Sequence, residues 1–191
     1  MEDKPKIKCV IVGDGGVGKR SLVTRYCKNT FYEDYTSSES ELPTVDIKVG
    51  EREVSTQLMV LAGQDDCAKM RAALYPGTHV FVLCFDIGDR ASAGGIATRW
   101  RPELGYHCGD HTPTVLVGTK LDNREHDSDS QKALSTREGE DIARLIRAAS
   151  YVECSAQSGQ GVTEVFQEAV KAHLFRKKRP KKGQRALCLL C

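Results

Sequence analysis

No apolar stretch in this 191-residue chain approaches the length needed to cross a membrane. The first apolar run is also too short for the core of a signal peptide, and Met1-Glu2-Asp3-Lys4-Pro5 ahead of it carries acids. No charge of one sign dominates, because the formal net charge is +2. That balance hides an uneven distribution. Arg176, Lys177, Lys178, Arg179, Lys181, Lys182 and Arg185 crowd the C-terminus, so the body before them is acidic on balance. The pattern argues against nucleic-acid binding by the whole chain and for a basic tail on an anionic surface. Nor do the eight cysteines form a spaced framework. Most fall singly within apolar runs and helical patterns, as buried thiols do, which points to a reducing, cytosolic compartment. The length suits one domain with one sizeable core.

What is present is an alternation of strand-like and helix-like patterns. Residues 7–12, 80–85 and 115–117 read as strands buried on both faces. Residues 45–49 alternate with period two, Gly50-Glu51 turns the chain, and 54–61 run back, which is a hairpin. A short last strand is expected at 151–154, and helices over Lys19–Lys28, 65–75 and 91–104. Ser135-Thr136-Arg137-Glu138 is a capping box ahead of a helix with Ile142, Leu145 and Ile146 on one face. Val162, Val165, Phe166, Ala169, Val170 and Leu174 line one face of the final helix. Residues 29–42 read as irregular, and 123–134 as a charged surface insertion. His107, Cys108 and His111 lack a second ligand pair and read as a loop, not a metal site.

Six strands alternating with helices predict an α/β domain, a mostly parallel six-stranded sheet with helices on both faces. Ligands of such sheets bind beyond the carboxyl ends of the strands. Four segments that follow strands should therefore line one rim: residues 13–21, 62–64, 119–122 and 155–156.

The first of these carries the strongest signal. Cys9-Val10-Ile11-Val12 leads into Gly13-Asp14-Gly15-Gly16-Val17-Gly18-Lys19-Arg20-Ser21, after which a helix opens. The pattern to compare is G-x-x-x-x-G-K-[ST], whose glycines let backbone N–H groups wrap phosphates while Lys19 reaches the terminal ones. The helix behind it aims its positive end at the same anion. One position departs: residue 20 should carry a hydroxyl for Mg²⁺, and it is arginine. Ser21 does not substitute, because one step along a helix turns the side chain by roughly 100°.

With Thr119-Lys120-Leu121-Asp122 and Ser155-Ala156 behind the right strands, the chain resembles a small GTPase, a P-loop NTPase fold. The resemblance implies that Asp122 accepts from the guanine donor pair, that the Lys120 stem packs along the base, and that Thr119 belongs to the same motif. It further implies a backbone N–H from the Ser155-Ala156 pair to the guanine oxygen, and Phe31 stacked on the base. Residues 13–21 with Gly63 would hold the phosphates of GTP or GDP, and Gln64 would orient the attacking water. Gln64-Asp65-Asp66 through Met70-Arg71 to Leu74-Tyr75-Pro76, then Trp100-Arg101-Pro102-Glu103-Leu104, Cys108 and Pro113, are similar to the Rho/Rac branch. Rho-type effectors and regulators are the implied partners. Residues 123–134 stand where that branch has an extra helix, in shortened form.

The resemblance also implies Mg²⁺, yet two of its holders are replaced. Arg20 stands for the hydroxyl and Val60 for the aspartate that should precede Ala62-Gly63-Gln64. An aspartate without a metal would repel phosphate, and Arg20 can supply part of the missing charge. Counting back from Val60, Ser38 takes the place of the metal-binding threonine of the first switch, because using Thr44 would shorten the hairpin strands by several residues. Slow hydrolysis is expected, since the cation supplies several kcal/mol in this chemistry.

Cys188-Leu189-Leu190-Cys191 fits a prenylation signal, with the basic cluster as the second membrane signal and the lipid type open between farnesyl and geranylgeranyl. The expected organisation is a nucleotide-binding domain over 1–177 and a lipidated basic tail over 178–191. The tail would dock the chain on the cytoplasmic, anionic face of a membrane. Two readings follow: a membrane-anchored Rho-type switch, or a non-cycling interaction module that keeps the fold. A P-loop kinase or ATPase is disfavoured by Asp122, which ATP would leave unpaired.

Overall fold

The structure is a computed structural model that describes residues 5–31, 43–109, 111–126 and 133–176. Six strands form one sheet: β1 (Lys6–Gly13), β2 (Thr44–Val49), β3 (Arg52–Val60), β4 (Val80–Asp86), β5 (Thr114–Thr119) and β6 (Ser150–Glu153). Their spatial order is β2-β3-β1-β4-β5-β6, and every neighbouring pair is parallel except the β2–β3 hairpin. This is the predicted α/β sheet.

Side chains alternate across a pleated strand, so a strand buried on both faces feeds two cores. Cys9 and Ile11 of β1, Val82 and Cys84 of β4, and Val115 and Val117 of β5 point to one side. There they meet α1 (Lys19–Lys28) through Leu22 and Val23, and α7 (Val162–Leu174) through Val165, Phe166, Ala169 and Val170. Val10 and Val12, Leu83 and Phe85, and Leu116 point to the other side.

That second side is covered by a helix that changes pitch. It runs as α3 (Arg90–Gly95), passes through a π-helical segment (Ile96–Trp100), and continues as α4 (Arg101–Cys108). Ala93, Ile96, Trp100 and Leu104 enter the core from it. The expected helix at 91–104 is therefore longer and irregular. A 3₁₀ turn (Asp65–Cys67) and α2 (Ala68–Ala73) occupy most of 65–75, as expected.

Two expectations need correction. Leu145 of α6 (Thr136–Leu145) is 71% exposed. Gly139, Ala143 and Ile146 form the inward row instead, and Leu145 falls about 120° away from it at 100° per residue. The stretch after Asp122 is not all surface insertion, since α5 (Asp122–His126) forms there and Ala133 and Leu134 are buried. The capping box is present, with Ser135 Oγ accepting from the Glu138 N–H and the Glu138 carboxylate accepting from the Ser135 N–H.

Candidate functional site

The parallel strands bring the four predicted segments to the same edge of the sheet. After β1, Gly13 lies where any Cβ would fall on the Cys84 carbonyl oxygen of β4, at a φ of 140°. Only glycine fits that close approach in that conformation. Lys19, 7% exposed at the start of α1, folds back so that Nζ donates to the carbonyl oxygens of Gly13 (2.7 Å) and Asp14 (2.5 Å). Burial lowers its pKa; the charges of Arg71 and Arg20 add to that, while Cys84 and Asp14 oppose it. The loop thus encircles its own lysine.

Asp14 is the surprise within this loop, an acid at a site meant for anions. Its Oδ1 accepts from Trp100 Nε1 (2.9 Å) and from an Arg99 Nη (3.0 Å). Gly95 leaves room for this carboxylate, because a Cβ there would stand 3.2 Å from Oδ2. The other Arg99 Nη donates to the Gly63 carbonyl (2.7 Å) and pairs with Asp65 (2.6 Å). Asp65 is 86% exposed, so the pair with the more sheltered Asp14 matters more.

Gly63 is pressed onto the phosphate loop. A Cβ there would stand 2.5 Å from the Asp14 carbonyl carbon and 2.6 Å from the Gly15 nitrogen. Its neighbours are held by Arg71 of α2, whose Nη1 donates to the carbonyls of Ala62 (2.8 Å) and Gln64 (3.0 Å). The same guanidinium makes a two-point pair with Glu103 of α4, both contacts at 2.8 Å, and Tyr75 donates to Glu103. Burial works to raise the Glu103 pKa, but the bonds from Arg71 and Tyr75 outweigh it and hold the group ionised below its usual range. Gln64 itself is exposed, with its side-chain oxygen 3.9 Å from Cys67 Sγ.

At the other end of the rim, Thr119 closes β5. Its buried hydroxyl lies 2.6 Å from the Val17 carbonyl and 2.8 Å from that of Phe85, so the predicted base segment touches the phosphate loop directly. Lys120 adopts a left-handed φ of 58°, runs past Gly18, and pairs with Asp86 at 2.8 Å. Asp122 opens α5 half-buried, and its carboxylate makes no hydrogen bond or ion pair among the described residues. The Leu121 N–H donates to Cys154 O (3.1 Å), which ties this segment to the end of β6. Ser155 is fully buried, its Oγ accepting from the Ser158 N–H (3.0 Å), while Ala156 beside it is half-exposed.

The remaining predicted residues are less engaged. Gly15, Gly16 and Arg20 are exposed, Val17 is buried, and Ser21 and Gly18 are half-buried. Phe31 is half-buried, two residues past the helix cap Asn29. Thr44 begins β2 opposite Gln57. Ser38 and Cys188 lie outside the described residues, as does the tail from 177. Sequence reasoning did not single out Arg99 or the joint hold of Arg99 and Trp100 on Asp14. The available signal was Asp14 itself, since an acid within an anion-binding loop demands a cation nearby.

The Gly63 contact leads to a first expectation. Gly63→Ala should lower unfolding free energy by about 1–3 kcal/mol, because its Cβ meets backbone that cannot yield cheaply. Gly15→Ala, where nothing lies within 4 Å of the added Cβ, should be nearly neutral. Chemical denaturation of both variants checks this, and equal stabilities would contradict the packing.

Comparison with known proteins agrees with this geometry. The Ras family model matches residues 8–174. The chain is 40% identical over 166 residues to the Ras-like GTP-binding protein RhoL of Drosophila melanogaster, covering 87% of this chain and 86% of that protein. The family model over most of the chain and the 40% identical relative, together with this sheet, make the chain a Rho-like small GTP-binding protein of the Ras family.

Proposed function

We propose that this small GTP-binding protein works as a Rho-type signalling switch at the cytoplasmic face of membranes, with slow hydrolysis. The observation that supports the guanine reading best is the unengaged, half-buried Asp122 carboxylate, set beside a Thr119 that is bonded to the phosphate loop. A carboxylate there accepts from the two donors on the guanine edge, whereas adenine would leave it unpaired. Lys120 and Ala156 complete the base site, with Lys19 and the backbone of residues 13–18 on the phosphates. Gln64, exposed at the same edge, would orient the hydrolytic water. With Arg20 and Val60 at the metal-holding positions, the cation's share of transition-state stabilisation is lost, and turnover falls accordingly. Rho-type regulators and effectors are the corresponding partners.

Competition binding tests the base reading. GTP and GDP should displace a labelled guanine nucleotide, and ATP should not. Asp122→Ala should erase most of a preference on the order of 10⁴. Equal competition by ATP and GTP against the unmutated protein would overturn it.

Membrane attachment rests on Cys188 and the basic cluster before it. A single lipid chain holds only weakly, so both signals should count. In cell fractionation, Cys188→Ser should release the protein to the soluble fraction, and replacing Lys177, Lys178, Lys181 and Lys182 by Gln should release part of it. Retention of the Cys188→Ser protein on membranes would contradict prenylation.

A further inference from the structure

Given the guanine-nucleotide reading, we infer that Arg20 replaces the divalent cation at the phosphates, so that nucleotide binding in this chain is independent of metal. Mg²⁺ keeps most of its waters and takes one or two protein oxygens alongside the phosphates. At the two positions concerned the chain offers a guanidinium and a valine. Val60 ends β3 next to Ile11 of β1 and packs against the core shared with α1. The acids close to the loop are engaged elsewhere: Asp14 with Arg99 and Trp100, Asp65 with Arg99, and Asp86 with Lys120. Among the described residues, no three His, Cys, Asp or Glu side chains converge on a point that could hold a metal. Among the described residues, the donor set does not fit a hard dication.

The cationic side of the balance is correspondingly rich. Helix α1 has Gly18 at its cap position, with no side-chain cap and no acid in its first turn, so its positive end is open. By contrast, Asp89 caps α3 and Ser135 with Glu138 closes α6. Lys19 and Arg20 follow one another at that open end, close enough for the Arg20 charge to be felt at Lys19. Arg20 is exposed and has no hydrogen-bond or ion-pair partner among the described residues. Its Cβ leaves the helix from the position where a hydroxyl would otherwise face the metal, because the backbone alone fixes that direction. A planar fork of N–H donors starting there can bridge phosphate oxygens, a task that otherwise falls to the cation. The absent carboxylate at Val60 fits the same scheme, since an aspartate there would compete with phosphate for the guanidinium.

The experiment uses the full-length protein with GDP and GTP as probes, and measures Kd in millimolar Mg²⁺ and in excess chelator. Chelation should change the affinity of the unmutated protein by less than about threefold, and Arg20→Ala should weaken binding about tenfold in both buffers, the equivalent of one charge-assisted contact. Arg20→Thr with Val60→Asp should make binding chelator-sensitive by about tenfold or more, in a double-mutant cycle where neither single change does so. A tenfold or greater loss on chelation in the unmutated protein would overturn the inference while leaving the guanine reading intact. An Arg20→Ala protein that binds as tightly as the parent would overturn it equally. Failure of both nucleotides to bind in either buffer would remove the guanine reading and this inference together.

Discussion

An aspartate inside an anion-binding loop is an electrostatic liability, and the arrangement around the functional edge depends on how Asp14 is compensated. Its carboxylate accepts from Arg99 and Trp100, two consecutive residues of the π-helical segment. Consecutive side chains on a regular helix diverge by roughly 100°, yet these two reach the same oxygen. Arg99 then continues to the Gly63 carbonyl, so one guanidinium joins the loop after β1, the segment after β3 and the helix between β4 and β5. The loop's shape is thus held by its neighbours as well as by its glycines.

Arg71 performs the matching task on the other side of that segment. It is almost wholly buried, its charge is met by Glu103, its Nε is shared between Glu103 and Tyr75, and its Nη1 reaches the Ala62 and Gln64 carbonyls. Both Arg71 and Arg99 lie against the Trp100 ring, at 4.7 and 4.8 Å from its centre. A buried pair of this kind costs about 3–5 kcal/mol when one member is removed, because the other is left charged and alone. The segment after β3 is therefore fastened at two points to one helix, through Glu103 and through Arg99.

Much of this was legible in the residues. Continuous apolar runs fixed the strands, Ser135 and Glu138 marked a helix start, and the glycine string before Lys19 marked the phosphate loop. The segment holding Asp122 could be placed on the same rim because a parallel sheet sends every such loop to one edge. What the pattern could not carry was lateral contact. Nothing in the spacing of Asp14, Arg99 and Trp100 says that they meet through a π turn, since one inserted residue changes which side chains face the sheet. Leu145 misled for a related reason: apolar periodicity at the end of a helix does not say which of two adjacent rows is inward, and the short row through Gly139 and Ala143 was.

The bond from Thr119 to Val17 joins the two segments proposed to hold base and phosphates, so that a single ligand would span both. The most direct test is to denature the purified, unmutated protein and identify the released nucleotide by anion-exchange chromatography. A guanosine phosphate in stoichiometric amount is the predicted result. Recovery of an adenosine phosphate, with no guanosine phosphate, would contradict it.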